Sequence, residues 1–476
     1  MKKLVLMAAM LTSLTAQAQR IAMADSAAYR ERMEWFGQAK LGIFIHWGIY
    51  AVKGVSESWS FYNEQLSYDE YMSQQKGFTA SRWNPKEWVD LIKESGATYT
   101  VITSKHHDGM ALWDTKAGKL SMMKCTPARR DLISPFAEEA RRQGLRLGLY
   151  YSLLDWSHPD YPNHTKNIRR YAFPDSDSAV KEGVETTEMG GKQAQRKGKK
   201  HPLSPQERWQ RFCDFNFAQL NELASQFNPD LWWFDGDWEQ TADDWRAPQI
   251  IRLLRSYNPQ CVVNSRIQGY GDYLTPERGI PTERPSIPYW ELCQTINDSW
   301  GYYPTDTNYK SVYQLLRLFV DCLSMGGNLL LDIGPREDGT IPEEQIAALK
   351  GIGRWTKKHA EAIYQTRAGI PTQYFQGYTT LNQRGDVLYL YLPYRPNGMV
   401  EVKGLVSKVR RAYVVGSGEE LEYKMWNQPS WSSIPGNFYI TVPERVLDPD
   451  ITVVALQLDG PIRLYNGEGK VMEMNE

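Results

Sequence analysis

The chain has 476 residues, with 55 Lys and Arg against 56 Asp and Glu, which gives a formal net charge of −1. Hydrophobic residues make up 42% and charged residues 23%, as in an ordinary globular protein, so a mostly disordered or fibrous chain is excluded. A nearly neutral chain has no strong electrostatic attraction to nucleic acid, so we predict no nucleic-acid partner.

The chain begins with the pattern of a secretory signal. Lys2 and Lys3 precede an apolar run from Leu4 to Leu14, and Ala16-Gln17-Ala18 provides a small-residue cleavage site. We therefore predict a signal peptide over residues 1–18 and an exported, periplasmic or extracellular protein. The apolar run is too short to span a bilayer and no later stretch is longer, so no membrane insertion is predicted.

Short apolar runs alternate with helix patterns over the next part of the chain, residues 19–365. The predicted strands are Gly42–Trp47, Thr98–Thr103, Arg146–Tyr151, Asp230–Phe234, Cys261–Asn264 and Asn328–Ile333. The predicted helices include Ile133–Gln143, a helix that opens with a capping box at Ser204, Ser311–Met325 and Ile341–Tyr364. This alternation favours an α/β fold, a (β/α)8-type barrel, over a doubly wound open sheet. No glycine-rich phosphate turn follows the first strand, which disfavours the open sheet.

The tail, residues 366–476, changes to short runs of Val, Tyr and Leu separated by Asn, Gly and Pro turns. We predict a small C-terminal β-sandwich for it. Before the fourth predicted strand, residues 161–201 form a polar insertion. Its second half contains the cations Lys192, Arg196, Lys197, Lys199 and Lys200. A solvated loop is the favoured interpretation of such a charge run, and a surface for an anionic partner is the alternative.

The five cysteines do not predict a disulfide framework or a zinc site, because they are scattered and show no paired spacing. They are Cys125, Cys213, Cys261, Cys293 and Cys322. No metal or other cofactor is predicted.

Active-site residues of α/β barrels lie at the carboxyl ends of the strands. Asp235 ends the apolar run Leu231–Phe234 and precedes Gly236, and a carboxylate buried there needs partners, so its position indicates a functional role. The structural alternative is an N-cap or loop aspartate. His46 and the pair His106-His107 follow two other predicted strands. No HExxH motif is present, so we expect these rings to bond the hydroxyls of a neutral substrate.

Carboxylates, histidines and aromatic rings at one barrel mouth are typical of a sugar-binding site. Most of the 17 tryptophans and 28 tyrosines can equally fill the core. Cleavage of a glycoside needs two carboxyl groups, one to attack or to activate water and one to protonate the leaving group. The candidates for the second carboxyl are Glu277, Glu283 and Glu291.

Five motifs, in this order, resemble the retaining α-L-fucosidases of glycoside hydrolase family 29. They are Phe44-Ile45-His46-Trp47-Gly48, Lys105-His106-His107-Asp108-Gly109, Gly148-Leu149-Tyr150-Tyr151-Ser152, Trp233-Phe234-Asp235-Gly236 and Gly326-Gly327-Asn328-Leu329-Leu330-Leu331. The resemblance covers nearly the whole predicted barrel. It implies hydrolysis of terminal α-L-fucose from a fucosylated oligosaccharide or glycoconjugate, through a covalent fucosyl-enzyme intermediate and without a cofactor.

The resemblance also implies roles for individual residues. Asp235 matches the nucleophile. The positions that match the fucose pocket are His46, Glu57, Trp59, His106, His107, Tyr150, Trp233 and Arg266. Trp59 stands one position later than is usual in the family, and Ser265 replaces the Asp that usually precedes the arginine. We expect Trp47, Trp59 and Trp233 to face the methyl group of the 6-deoxy sugar.

The acid/base is the second catalytic residue that the resemblance implies. Glu277 lies eleven residues after Arg266, close to the spacing in relatives, and is our prediction. Glu291 is the alternative acid/base, or a structural group on a strand. A retaining exo-glycosidase for a related sugar such as galactose, and a non-catalytic sugar-binding protein, are the alternative functions. We make no prediction of linkage preference or oligomeric state.

Overall fold

The computed structural model describes residues 27–161, 203–428, 430–431 and 434–466. The predicted signal peptide, residues 1–18, lies outside the described residues, and so does the insertion 161–201 except for Tyr161. Within the described ranges, no helix is long and apolar enough to cross a membrane.

The described residues form one parallel sheet, two antiparallel sheets and the helices around them. The strands are β1 (Leu41–Ile45), β2 (Tyr99–Lys105), β3 (Arg146–Ser152), β4 (Leu231–Asp235), β5 (Val262–Val263), β6 (Glu291–Thr295), β7 (Asn328–Ile333), β8 (Thr366–Ala368), β9 (Tyr378–Asn382), β10 (Val387–Leu392), β11 (Met399–Val402), β12 (Val409–Val414), β13 (Tyr423–Trp426), β14 (Asn437–Thr441) and β15 (Thr452–Leu458). The α-helices are Ala27–Ala39, Trp59–Tyr62, Tyr68–Met72, Pro85–Glu94, Met122–Cys125, Ile133–Arg142, Pro205–Phe227, Ala247–Tyr257, Val312–Ser324, Glu343–Lys358 and Ala360–Ile363. Short 3-10 helices are Ile49–Ala51, Ser73–Lys76, Asp237–Glu239 and Glu444–Val446.

The parallel strands follow one another in the order β5-β4-β3-β2-β1-β7-β6, so β1 pairs with β7, which is the last of these seven strands along the chain. The segment 273–277 then joins the two remaining edges. Tyr273 forms a parallel bridge with Asn264 beyond β5, and Glu277 forms one with Cys293 in β6. This irregular segment takes the place of an eighth strand and closes the sheet. The predicted α/β barrel is therefore confirmed over the open-sheet alternative.

Burial on both faces explains why the barrel strands are apolar. Every residue of β1, β2, β4 and β7 is buried, because one face lines the interior and helices cover the other. The helix Pro205–Phe227 opens with the predicted capping box, in which the Ser204 hydroxyl accepts from the Glu207 amide. Asn216 interrupts its apolar stripe because its carbonyl oxygen accepts a hydrogen bond from the buried Lys105 ammonium at 3.2 Å.

Some elements differ from the sequence prediction. The prediction of a single helix over Ile341–Tyr364 is wrong. The helix Glu343–Lys358 is interrupted at His359, and the short helix Ala360–Ile363 follows. At this break the His359 ring bonds back to the Trp355 carbonyl at 2.9 Å. Strand β6 and the closing segment 273–277 are additional to the six strands predicted for the barrel.

The C-terminal strands form a five-stranded sheet, β12-β15-β10-β9-β8, and a three-stranded sheet, β11-β14-β13. In β10, Leu388 and Leu390 belong to the core between these two sheets, whereas Tyr389 and Tyr391 pack in the core of the barrel. The two-residue period of a strand puts these pairs on opposite faces. The Trp355 indole donates to the Ile451 carbonyl at 2.8 Å across this junction. The division of the chain between residues 365 and 366 stays a prediction.

Candidate active site

The carboxyl ends of β1 to β4 bring the predicted site residues together, because these strands are parallel neighbours. His46 directly follows β1, and His106 and His107 follow β2. Tyr150 lies near the end of β3, and Asp235 is the last residue of β4.

Asp235 is a nearly buried carboxylate with partners on both oxygens. Its residue exposure is 9%. The Tyr150 hydroxyl donates to Oδ2 at 3.0 Å, and Nη1 of Arg266 donates to Oδ1 at 3.1 Å. The Nε2 atom of His107 lies 3.7 Å from Oδ2. Two donors, the Tyr150 hydroxyl and the cationic Arg266 guanidinium, offset the cost of burying the charge and fix the orientation of the carboxylate.

Arg266 connects the two predicted catalytic carboxyl groups. While Nη1 bonds Asp235, Nη2 donates to Oε2 of Glu277 at 2.6 Å. The guanidinium lies 4.6 Å above the centre of the Trp233 ring, a cation–π contact that holds its plane. The Glu277 side chain is 38% exposed, in contrast to 13% for that of Asp235. One carboxyl is thus enclosed and the other faces the entrance.

The paired histidines are neutral rings fixed by serines. Burial lowers the pKa of His106 well below its usual range and that of His107 to about 3. Ser58 bonds Nδ1 of His106, and Ser152 bonds Nδ1 of His107, both at 2.6 Å. The Ser152 hydroxyl donates its only hydrogen to the Leu154 carbonyl. In the bond between Ser152 and His107, the donor must therefore be the N–H group at Nδ1 of the histidine. The Nε2 atom of His107 is therefore an acceptor beside Asp235, without a hydrogen-bond partner among the described residues.

The His46 ring is held by the carboxyl group of Asp332. Its Nδ1 lies 2.7 Å from Oδ1 of Asp332, and both side chains are buried. Burial lowers the pKa of His46 and raises the pKa of Asp332, because it penalises the charged form of each group. The pair fixes the orientation of the ring.

Glu57 and Trp59 lie in the connection after β1, in which Trp59 begins the short helix Trp59–Tyr62. The Gly301 amide donates to Oε1 of Glu57 at 2.6 Å, and burial raises the pKa of this carboxyl to about 7. The next residue before Gly301, Trp300, packs 5.1 Å from the His46 ring, centre to centre. Trp59 lies edge-on to His107 at 5.5 Å.

Trp47 differs from its predicted position. Its fully buried ring packs against Phe78, Trp83 and Trp88, and its indole donates to the Arg336 carbonyl at 2.8 Å. This aromatic cluster belongs to the core, so the expectation that Trp47 faces a sugar has no support in its contacts.

Glu291 is enclosed inside the barrel. Its carboxyl accepts hydrogen bonds from the Tyr99 hydroxyl at 2.5 Å, the Trp233 indole at 3.0 Å and the Tyr273 hydroxyl at 3.4 Å. The residue has no exposed surface, and burial raises its pKa to about 7. Three protein donors occupy its oxygens, so a leaving group has no access to it in this arrangement.

Comparison with known proteins agrees with the geometry of the site. The alpha-L-fucosidase family model matches residues 7–361. The chain belongs to the alpha-L-fucosidase family. The plasma alpha-L-fucosidase of Homo sapiens is 30% identical over 372 residues, which cover 72% of this chain and 71% of that protein.

Two solved fucosidase structures share the fold. Alpha-L-fucosidase isoenzyme 1 from Paenibacillus thiaminolyticus has a TM-score of 0.78 at 29% identity, covering 91% of this chain and 100% of that chain. An alpha-fucosidase of Thermotoga maritima in complex with a mechanism based inhibitor has a TM-score of 0.69 at 29% identity, covering 91% and 99%.

This fucosidase is therefore a glycoside hydrolase, and the predictions of family, enzyme class and activity are confirmed. Membership of the family makes a fucosylated glycan its substrate class. Among the described residues, no group of three or more His, Cys, Asp or Glu side chains could hold a metal ion.

Several residues around the site escape sequence reasoning. Asp332 follows three leucines in β7, so the strand-end rule that selects Asp235 could also have selected it. Ser58 carries no such signal, and although Ser152 ends β3, nothing in the sequence indicates that its hydroxyl bonds His107. Trp300 lies in a loop and Trp238 in the three-residue 3-10 helix Asp237–Glu239, and neither stretch is long enough to show an apolar period.

Proposed function

We propose that the fucosidase releases terminal α-L-fucose with retention, using Asp235 as nucleophile and Glu277 as acid/base. The observation that carries this assignment is Arg266, whose two terminal nitrogens bind one oxygen of each carboxyl group. The two carboxyl groups therefore lie at the same barrel mouth and differ in solvent exposure. This difference suits a nucleophile that lies under the sugar and an acid that lies beside the leaving oxygen.

In the first step, an Asp235 oxygen forms a bond to the anomeric carbon while the glycosidic carbon–oxygen bond breaks. Glu277 transfers its proton to the departing oxygen, which leaves as a hydroxyl group. In the second step, Glu277 takes a proton from water, the water oxygen attacks the anomeric carbon, and Asp235 is released. We expect the two carboxyl groups to lie about 5–5.5 Å apart with substrate bound.

The remaining residues provide the fucose pocket in this proposal. His46, His106 and His107 are buried neutral rings, so they can exchange hydrogen bonds with sugar hydroxyls without bringing a charge. Trp233 lies beneath the Arg266 guanidinium, and together with Trp300 it supplies apolar surface. A 6-deoxy sugar needs hydrogen-bond partners on one side and apolar surface on the other, since one end carries a methyl group instead of a hydroxymethyl group.

The anomeric form of the first product tests this mechanism. Proton NMR of a fresh digest of an aryl α-L-fucoside should show α-fucose before mutarotation produces the β-anomer. The matching α-L-galactoside, which replaces the methyl group by a hydroxymethyl group, should be cleaved far more slowly. Release of β-fucose first would contradict retention, and equal cleavage of the galactoside would contradict the assignment of the pocket.

We also propose export. The sequence pattern of residues 1–18 supports it, and the human relative of 30% identity carries the name plasma alpha-L-fucosidase. Mass spectrometry of the chain from the periplasm or medium of an expressing bacterium should show an N-terminus at Gln19. A chain that retains Met1 and stays in the cytoplasm would contradict export.

A further inference from the structure

Trp238 is a large aromatic residue left half exposed beside the catalytic carboxylate. It lies in the 3-10 helix Asp237–Glu239, three residues after Asp235, and its exposure is 50%. In contrast, Trp156 and Trp233, which also lie around the site, are exposed by no more than 2%. A single exposed ring is ordinary on a protein surface, but this ring is carried by an anchored turn and contacts rings of the site.

The turn that carries Trp238 is fixed from both sides. Oδ2 of Asp237 accepts from the Gln268 amide at 2.6 Å, and the Asp237 carbonyl accepts from the Trp245 indole at 2.9 Å. The chain reverses at Gly236 with φ +79°, where an added Cβ would lie 2.5 Å from Cγ of Leu154. Such anchoring limits the conformational entropy that the ring would lose on binding a ligand.

The ring lies at the border between the enclosed site and solvent. It stacks on Trp59 with centres 6.1 Å apart and planes at 20°, and it meets the His107 ring edge-on at 5.9 Å. His107 in turn reaches Asp235. A substrate whose fucose lies on Asp235 must extend its next sugar outward, past this border.

We infer that Trp238 is the aromatic platform for the sugar that leaves as fucose is released, which makes it a specificity-determining residue. This inference rests on the proposed function, because it assumes that Asp235 attacks the fucose. An indole face packs on the carbon–hydrogen face of a pyranose, while the sugar's hydroxyls stay in water. A glycan would therefore gain a contact that a fucoside with a minimal leaving group cannot make.

The test compares two substrates in the variant Trp238→Ala. The kcat/KM for a fucosyl disaccharide should fall about tenfold, the effect expected for one lost stacking contact. The kcat/KM for α-L-fucosyl fluoride, which has no leaving sugar, should stay within about twofold of wild type. Inhibition by free L-fucose should also be unchanged, since the monosaccharide occupies only the buried pocket.

The matched control is Trp426→Ala, because Trp426 is 51% exposed but lies in β13 of the C-terminal region. It should leave both substrates unaffected. Equal losses on both substrates, or weaker inhibition by L-fucose, would place Trp238 in the fucose pocket and overturn the inference. Unchanged disaccharide cleavage would overturn it too. A wild-type enzyme that cleaves neither substrate would instead refute the proposed function itself.

Discussion

The variant Asp235→Ala should lose about 10⁴-fold or more in kcat, because no other group is placed to form the covalent bond to the anomeric carbon. The fold should persist, since Arg266 retains its ion pair with Glu277 at 2.6 Å and is not left as an unpaired buried cation. Steady-state rates on an aryl α-fucoside, measured together with the melting temperature, separate the two effects.

Azide distinguishes a lost nucleophile from a damaged site. The small anion can enter the space of the missing carboxylate and attack the anomeric carbon, which expels the leaving group and gives β-fucosyl azide. Asp230→Asn is the matched control, because Asp230 precedes the other end of β4 and bonds Arg146 at 2.8 Å. The control should keep its activity. Wild-type rates in Asp235→Ala, or azide rescue that yields the α-azide, would contradict the assignment.

Asp235 and the histidines could be predicted because barrel geometry converts a position in the chain into a position in space. An apolar run that ends at a polar residue identifies a strand end, and the parallel strands β1 to β4 bring their ends to one mouth. The same rule would select Asp332, the penultimate residue of β7.

The way in which the barrel closes could not be predicted from apolar runs and their ends. The segment 273–277 contains Pro276, and it pairs through three isolated bridges, to Asn264, Trp290 and Cys293, rather than along a continuous strand. Its pairing depends on long-range contacts that complete the sheet, so neither alternation nor apolar content marks it as a strand.

Burial is the property that separates residues of equal chemical type here. Trp47 and Trp233 both follow or occupy apolar strand runs, yet only Trp233 contacts Arg266 at the mouth. Glu277 and Glu291 lie fourteen positions apart, the first in the closing segment and the second in the adjacent strand β6, but one is open to solvent and the other is enclosed. Sequence motifs alone do not carry this difference, because it arises from the direction in which each side chain points.

The acid/base prediction depends on that difference between the two glutamates. A general acid matters most when the leaving group is poor, since a good leaving group departs without a proton. Glu277→Ala should therefore reduce kcat/KM for a fucosyl oligosaccharide by about 10²–10⁴-fold, and the glycosylation step of an activated aryl fucoside far less. The basic limb of its pH–rate profile should also disappear, because that limb reports ionisation of the acid.

Glu277→Gln separates the missing acid from the missing contact with Arg266. The amide oxygen can still accept the hydrogen bond that Nη2 of Arg266 donates, but the side chain cannot transfer a proton. If proton transfer is the role of Glu277, Gln and Ala should show the same dependence on leaving group. A defect confined to Ala would indicate that Glu277 only positions Arg266.

Glu291→Gln is the matched variant for the enclosed carboxyl. Because Glu291 accepts from Trp233, whose ring carries the Arg266 guanidinium, its replacement should affect both substrates alike or lower the melting temperature. Leaving-group dependence in Glu291→Gln alone would transfer the acid/base role to Glu291, and would require its carboxyl to leave the Tyr99 and Trp233 donors during catalysis. Wild-type behaviour of both variants would exclude both residues, and Glu283 and Glu57 would then be the carboxyl groups to replace.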